Sequence, residues 1–206
     1  MVAENFDLSI LGISEGLKRT PRYGQVRNDL SESTADHVAQ GVQLINISFR
    51  AFQLDSLLDY RKTVEMWSVH DLQESICGDT PVTKIYAGED TNEAKQKREL
   101  AAWQQICRQC DDSLMAKYYY GLWLEFEAGE SPEAKFTKAI DKMEAILHIS
   151  FNVKSHSFPQ IIPVYADQAV ENFPALIPVW RAIKFKVREE FKKCGISWED
   201  KDNLFL

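Results

Sequence analysis

The chain has 206 residues, which is enough for one domain with a sizeable core or for one domain with an extension. Its composition, 45% hydrophobic and 27% charged, is typical of a soluble globular protein. The net charge of −7 argues against polymeric nucleic acid and against an anionic membrane surface as the main partner, whereas a small anionic substrate needs only a local cation or a metal.

No segment of the sequence indicates a targeting signal or a membrane span. The first residues lack a basic segment followed by an apolar one, so no signal peptide is predicted. No apolar run approaches the roughly 20 residues of a membrane helix. Cys107 and Cys110 form a single Cys-x-x-Cys pair, which fits two apolar positions on one helix, with a redox pair as the alternative. We therefore expect a reducing cytoplasm.

Apolar residues recur at helical spacing along the chain, and alternating β-branched runs are almost absent. The spacing predicts a first helix over about residues 5–18, followed by a polar irregular stretch over 22–32. Ser33 is then predicted to cap a second helix, with Asp36 as a partial capping-box partner and His37 in the first turn. Later helices are predicted over about residues 55–76, 100–110, 115–126, 131–147 and 176–191.

The segment after residue 150 differs in character, because four prolines break it into short pieces before the last helix. The basic residues of that helix, Lys184 among them, are predicted to lie on a solvated outer face, with a polyanion-binding face as the alternative. The whole pattern predicts an all-α protein, a single helical bundle with a C-terminal helical extension.

A chemically unusual segment lies inside the predicted third helix. It places His70 next to Asp71, with Glu74 one helical turn further on, in an otherwise apolar run. Burying these groups is costly unless something pairs them, and a divalent metal is the natural candidate. His37 and Asp141 lie at the edges of other apolar stripes and complete a mixed nitrogen and oxygen set that suits borderline-to-hard divalent ions. From residue types alone, ordinary core or surface histidines remain an equal alternative.

The order of these residues resembles that in the HD-domain metal-dependent phosphohydrolases, and the surrounding sequence resembles their 5′-deoxynucleotidase-like branch. A histidine is followed by a His-Asp pair after 32 intervening residues, and an aspartate follows that pair after 69 intervening residues. The resemblance covers about residues 10–148. It rests on these segments: Leu17-Lys-Arg-Thr-Pro-Arg22, Glu32-Ser-Thr-Ala-Asp-His37, His70-Asp-Leu-Gln-Glu74, Gly78-Asp-Thr-Pro81, Ser131-Pro-Glu-Ala-Lys135 and Ile140-Asp-Lys-Met-Glu144.

The resemblance implies a role for each of these residues. One divalent ion, which can be Mn, Co, Mg, Fe or Zn, is expected to be held by His37, His70, Asp71 and Asp141. Glu74 and Asp79 match acidic residues that act on the attacking water and the substrate. Arg22 matches an arginine that meets the substrate phosphate. Tyr23 is expected to contact the substrate, although the branch has a tryptophan close after the arginine, so the choice between deoxyribose and ribose stays open.

These implications predict an enzyme of nucleotide metabolism that removes phosphate from (deoxy)nucleoside 5′-monophosphates. A (deoxy)nucleoside triphosphate triphosphohydrolase using the same site and a non-catalytic nucleotide- or metal-binding module are the alternatives. The phosphohydrolase domain is expected over residues 1–150, with a C-terminal helical extension over residues 151–206 packed on it. The expected partners are a small nucleotide and, by resemblance, a second copy in a homodimer, but neither polymeric nucleic acid nor a membrane.

Overall fold

The computed structural model describes residues 8–23, 32–111, 113–151 and 159–206. Helices dominate these ranges, and β-pairing within them is limited to one isolated antiparallel bridge between Pro21 and Ser33. The predicted all-α fold is therefore confirmed. In the same ranges, no helix combines the length and the apolar character that a membrane crossing demands.

The α-helices are α1 (Ser9–Ser14), α2 (Thr34–Phe52), α3 (Tyr60–Val69), α4 (Glu74–Cys77), α5 (Val82–Tyr86), α6 (Asn92–Gln109), α7 (Leu114–Ala128), α8 (Pro132–Ile149), α9 (Asp167–Glu171) and α10 (Ile177–Cys194). Short 3-10 helices cover Glu15–Arg19, Leu54–Ser56, Pro159–Val164, Pro174–Leu176 and Asp200–Asn203. The start of the first predicted helix, residues 5–7, and most of the predicted irregular stretch, residues 24–31, lie outside the described residues.

The chain folds as two compact units. The first unit takes its residues from 1–39 and 68–124, and the second takes them from 40–67 and 125–206. The domain boundary predicted at residue 150 stays a prediction.

In the first unit, α2 begins with the reciprocal hydrogen bonds of a capping box. The Ser33 backbone N–H donates to Asp36 Oδ2 at 2.9 Å, and the Asp36 backbone N–H donates to Ser33 Oγ at 3.2 Å. The His37 backbone N–H donates to the Ser33 carbonyl at 3.1 Å. The cap that the sequence predicts therefore fixes the turn that carries His37.

The third predicted helix, over residues 55–76, is wrong in its bounds. The structure ends α3 at Val69 and begins α4 at Glu74. Between them the backbone hydrogen bonds span three residues, from Leu72 N–H to the Val69 carbonyl at 3.1 Å and from Glu74 N–H to the Asp71 carbonyl at 3.0 Å. A turn of this 3-10 type aligns residues three apart on one edge, so it brings Asp71 into line with Glu74.

In the second unit, α8 begins as predicted. Ser131 Oγ accepts a backbone N–H of the first turn at 3.2 Å, and Pro132 occupies the first helical position. Phe136 of α8 packs edge-on against Phe49 and Phe173, with ring centroids 5.5 Å and 5.3 Å apart. These contacts form part of the core of the second unit.

Helix α10 carries a buried ion pair where the sequence pattern predicts a solvated face. Lys184 is fully buried, and its Nζ lies 2.9 Å from Asp167 Oδ1. The same Nζ donates to the carbonyls of Asp202 at 3.3 Å and Leu204 at 2.7 Å. Trp180 Nε1 also donates to Asp167 Oδ1, at 2.6 Å. The predicted exposure of Lys184 is wrong because Asp167 and the carbonyls of Asp202 and Leu204 supply partners for its ammonium inside the protein. We call Asp167, Trp180 and Lys184 the Lys184 cluster.

Candidate metal centre

Two imidazoles and one carboxylate meet in the first unit, and we call His37, His70 and Asp71 the His–Asp cluster. The Nε2 atoms of His37 and His70 lie 3.3 Å apart. Asp71 Oδ2 lies 3.2 Å from His70 Nε2 and 3.7 Å from His37 Nε2. Both imidazoles are buried, and the Asp71 side chain is 15% exposed. Three of the four predicted metal ligands therefore lie together in the first unit.

The spacing of the His–Asp cluster fits a single divalent ion. Ligand atoms about 2.1 Å from one ion, at angles of roughly 90–110°, lie about 3.0–3.4 Å from each other. The distances of 3.2 Å, 3.3 Å and 3.7 Å between the ligand atoms of the cluster are close to this range. The donor set of imidazole nitrogen and carboxylate oxygen also matches the chemistry of borderline divalent ions.

Asp141, the fourth predicted ligand, lies on α8 in the second unit. Its carboxylate is half-buried, and its Oδ2 lies 3.0 Å from Lys142 Nζ. Its place in the ligand set stays a prediction.

Arg22 forms an ion pair with Asp71, the carboxylate of the His–Asp cluster. The buried Arg22 side chain places Nη1 3.2 Å from Asp71 Oδ2, the oxygen that also neighbours both imidazoles. Burial alone would lower the pKa of Arg22, but the phenol of Tyr23 and the nearby carboxylates, Asp71 foremost, raise this pKa well above its ordinary value. The guanidinium thus stays charged beside the candidate metal ligands.

Tyr23 and Asp79 are joined by the backbone. The Tyr23 N–H donates to Asp79 Oδ2 at 3.0 Å, and Tyr23 has a φ of +62°, in the left-handed region that residues with a side chain seldom adopt. Such backbone conformations cluster at binding and catalytic sites, where the surrounding contacts hold them. Burial is the main cause that raises the pKa of Asp79, the charge of Asp71 adds to it, and Arg22 opposes it.

Glu74 is a buried carboxyl group that one hydroxyl holds in place. Thr34 Oγ1 donates to Glu74 Oε2 at 2.9 Å, inside the buried region. Burial raises the pKa of Glu74 well above its ordinary value, and the charges of Asp71 and Asp79 raise it further. A carboxyl group with a raised pKa beside a metal site is suited to exchange a proton with a water molecule.

The sequence assigned no role to two residues that contact the site, Glu32 and Thr34. Both belong to the segment before His37 on which the resemblance rests, but their types alone do not indicate their partners. Glu32 pairs with Arg22 and Thr34 with Glu74, which lies 40 residues away in sequence. Spacing and composition carry no sign of such a long-range hydrogen bond.

Comparison with known proteins identifies the family. The HD domain family matches residues 14–171 of the chain. The 5′-deoxynucleotidase HDDC2 of Mus musculus is 34% identical over 146 residues, which cover 69% of this chain and 68% of that protein. The 5′-deoxynucleotidase hdd1 of Schizosaccharomyces pombe is 34% identical over 137 residues, which cover 63% of this chain and 64% of that protein. The chain thus spans about two thirds of the length of the curated relatives it matches.

A solved structure shares the fold. The crystal structure of a predicted metal-dependent phosphohydrolase from Magnetospirillum magnetotacticum covers 93% of this chain and 94% of its own, with a TM-score of 0.68 at 21% identity. At this identity the likeness concerns the fold alone.

An all-α fold that gathers two imidazoles and a carboxylate at one point has the donor set of a helical metal-binding protein. The chain belongs to the HD domain family, and family and relatives together make it a metal-dependent phosphohydrolase. The predicted family and enzyme class are confirmed.

Proposed function

We propose that this protein hydrolyses the phosphate ester of (deoxy)nucleoside 5′-monophosphates and releases the nucleoside. The names of the curated relatives, 5′-deoxynucleotidases, support this substrate class. The observation that carries the proposal is the joint position of Asp71 Oδ2, which lies 3.2 Å from both His70 Nε2 and Arg22 Nη1. Asp71, as a ligand of the ion, and Arg22, as the phosphate-binding residue, are then adjacent, so the ion and the guanidinium can act on the same phosphate group.

In this proposal one divalent ion is bound by His37, His70, Asp71 and Asp141. The residue type of Asp141 and its position inside the family match over residues 14–171 support its place as the fourth ligand. When bound, the ion supplies Lewis-acid polarisation of the phosphoryl oxygens. Its identity among Mn, Co, Mg, Fe and Zn is left to measurement.

Arg22 and Tyr23 bind the substrate in this proposal. Arg22 donates hydrogen bonds to the phosphate, a contact that a guanidinium makes with two parallel N–H groups. The Tyr23 ring lies against the guanidinium, with the Arg22 Cζ atom 5.5 Å from the ring centroid. A ring in this position borders the part of the substrate next to the phosphate, which is the sugar.

Glu74 and Asp79 handle the attacking water. Ionised Glu74, with its Oε2 held by Thr34, takes up the proton that the water loses as it attacks phosphorus, and its raised pKa suits it to pass that proton to the 5′ oxygen as the bond between phosphorus and this oxygen breaks. Asp79 Oδ2 accepts a hydrogen bond from the Tyr23 backbone N–H. Asp79 therefore links Tyr23, which binds the substrate, to the carboxylates that act on the water.

We further propose a homodimer in a reducing cytoplasm. The resemblance supports the dimer, and the four cysteines, which form no disulfide, fit a reducing compartment. Light scattering of the purified protein measures the oligomeric state; a monomer at micromolar concentration would contradict the dimer.

An assay of the purified protein against a panel of nucleoside mono- and triphosphates, with Mn, Co or Mg added, tests the substrate. We expect free phosphate from the monophosphates. Release of triphosphate from the triphosphates, without turnover of the monophosphates, would contradict the proposal.

The ligand role of Asp141 has a separate test. The variant Asp141→Ala is expected to lose the ion during purification, as measured by mass spectrometry of the metal content, and the exposed Asp200→Ala serves as its control. Equal metal content in the two variants would remove Asp141 from the ligand set.

A further inference from the structure

A second buried carboxylate, that of Glu32, lies next to Arg22. Glu32 is 3% exposed, and its Oε2 lies 3.1 Å from Arg22 Nε. The Tyr23 hydroxyl donates to the same Oε2 at 3.3 Å. One carboxylate oxygen thus contacts both residues of the proposed substrate-binding pair.

The backbone keeps Glu32 opposite Arg22. The Arg22 N–H donates to the Glu32 carbonyl at 2.9 Å, and the Thr34 N–H donates to the Thr20 carbonyl at 2.9 Å. These bonds flank the antiparallel bridge between Pro21 and Ser33. Since a register shift of one residue would turn the side chains to the other face, the pairing of these two segments sets which carboxylate meets the guanidinium.

The guanidinium is therefore held at two points. Its Nη1 donates to Asp71 Oδ2 at 3.2 Å, and its Nε lies 3.1 Å from Glu32 Oε2 in a close ion pair without hydrogen-bond geometry, so a guanidinium that turns away from Glu32 loses this charge contact. Without Glu32, the carboxylate left in contact with Arg22 would be Asp71, which is itself a candidate metal ligand. An arginine drawn fully onto that ligand would be turned away from an incoming phosphate.

We propose that Glu32 is a positioning residue for phosphate binding, which acts by orienting Arg22 and, through the hydroxyl, Tyr23. The proposal rests on the phosphate-binding role of Arg22 given above. Glu32 does not touch the reacting atoms; it fixes the direction of the groups that do. Pre-orientation of this kind strengthens binding because the arginine loses less freedom when the phosphate arrives.

The variant Glu32→Gln tests the proposal, because the amide keeps the shape of the side chain and removes its charge. We expect the KM for the monophosphate to rise about tenfold or more while kcat stays within about threefold, which is the pattern for a lost binding contact. The dissociation constant of inorganic phosphate, measured by calorimetry on the metal-loaded protein, should rise by the same factor. The metal content should not change.

A matched control separates positioning from a loss of stability. Glu133→Gln also removes a buried carboxylate from an ion pair, since Glu133 is 9% exposed and its Oε2 lies 3.6 Å from Lys62 Nζ in the second unit. This variant should lower the melting temperature and leave both KM and phosphate affinity unchanged. A Glu32→Gln variant that behaves in the same way would overturn the proposal, and so would its loss of the metal, which would make Glu32 a ligand.

A double-mutant cycle tests whether Glu32 acts through Arg22. In an Arg22→Gln background, the additional change Glu32→Gln should raise the phosphate dissociation constant by less than about twofold, because no guanidinium is left to orient. Full additivity of the two losses would overturn the proposal.

The outcomes also distinguish this inference from the proposed function. Wild-type protein that binds phosphate, and loses this affinity with Glu32→Gln, but hydrolyses no monophosphate contradicts the proposed function alone. Active wild-type protein whose phosphate affinity is insensitive to Glu32→Gln contradicts the inference alone. Wild-type protein that neither binds phosphate nor hydrolyses any monophosphate overturns both.

Discussion

Two of the buried groups of charges among the described residues differ in how far they are neutralised. In the Lys184 cluster, one ammonium meets one carboxylate, and two backbone carbonyls accept further hydrogen bonds from its Nζ. Around the His–Asp cluster, four carboxylates (Glu32, Asp71, Glu74 and Asp79) lie near the Arg22 guanidinium, and the charge of Lys95 acts more weakly on Glu74 and Asp79. The charges of the Lys184 cluster are neutralised within the protein, whereas the carboxylates around the His–Asp cluster outnumber the cations beside them.

This difference separates a structural role from a chemical one. A buried ion pair whose hydrogen bonds are satisfied has a structural role. Here Lys184 connects α10 to the carbonyls of Asp202 and Leu204. Around the His–Asp cluster, burial and the neighbouring carboxylates raise the pKa values of Glu74 and Asp79, and the charges of Arg22 and Lys95 oppose this shift only in part. A bound cation would neutralise these carboxylates, so we expect such a group at a cation-binding site.

The largest effect is expected from Asp71→Ala. Loss of this ligand should remove the ion and lower the rate of phosphate release by at least about a hundredfold. The melting temperature of the metal-free protein should change little, because Arg22 keeps Glu32 as a partner. Phosphate release, metal content and thermal unfolding measure the three effects, with the exposed Asp55→Ala as the control. Full turnover by Asp71→Ala would remove Asp71 from the site.

Disruption of the Lys184 cluster should lower stability and leave activity unchanged, which is the opposite of the result expected for Asp71→Ala. Asp167→Ala leaves the Lys184 ammonium buried without its carboxylate, which should lower the free energy of unfolding by about 3–5 kcal/mol. The activity of the molecules that remain folded should be unchanged. Urea denaturation measures the loss, and Glu190→Gln, which breaks an exposed ion pair with Lys193 on the same helix, should leave the midpoint where it is. Equal midpoints for Asp167→Ala and Glu190→Gln would show that the buried pair stabilises nothing.

The pH dependence of the free energy of unfolding should report the ionisation of Glu74 next to the His–Asp cluster. The folded metal-free protein binds the Glu74 proton more tightly than the unfolded chain does, because burial, Asp71 and Asp79 raise this pKa. The contribution of Glu74 to the free energy of unfolding therefore falls as the pH rises from the ordinary carboxyl pKa of about 4.3 through the raised value.

Glu74→Gln removes this titration. Without metal, its melting temperature should rise relative to that of the wild-type protein as the pH increases from about 5 to about 8. Addition of a divalent ion should reduce the difference, since the cation stabilises the ionised carboxylates of the wild-type protein. Parallel melting curves of the two metal-free proteins across this range would mean that Glu74 titrates normally.

The smallest effect is expected from Tyr23→Phe. This change removes one hydrogen bond, the 3.3 Å contact with Glu32, which is equivalent to about 0.5–1.5 kcal/mol or a rise in KM of roughly two- to tenfold. Steady-state kinetics measure it. Tyr60→Phe, which removes an exposed hydrogen bond to Asn46, is the control and should leave KM unchanged. A change of the same size in the control would place the effect outside the site.

The sequence by itself determined the helical class, the caps of α2 and α8 and the residue types of a metal site. These features are local, because helical spacing and capping depend on residues three or four positions apart. The site residues followed from a resemblance in which the order of six short segments carries the information. The family and enzyme class that this resemblance implied are confirmed, and the ligand set and residue roles stay predictions.

Tertiary structure decided the features that depend on residues distant in sequence. The turn between α3 and α4, which aligns Asp71 with Glu74, interrupts a run that the apolar spacing alone continues as one helix. Glu32 is a partner of Arg22 only because two separate segments pair in one register. Lys184 is buried because Asp167 and the carbonyls of the last residues come to its side of α10. In each case the deciding partner lies beyond the reach of helical periodicity, so burial and charge balance, rather than spacing, determine the result.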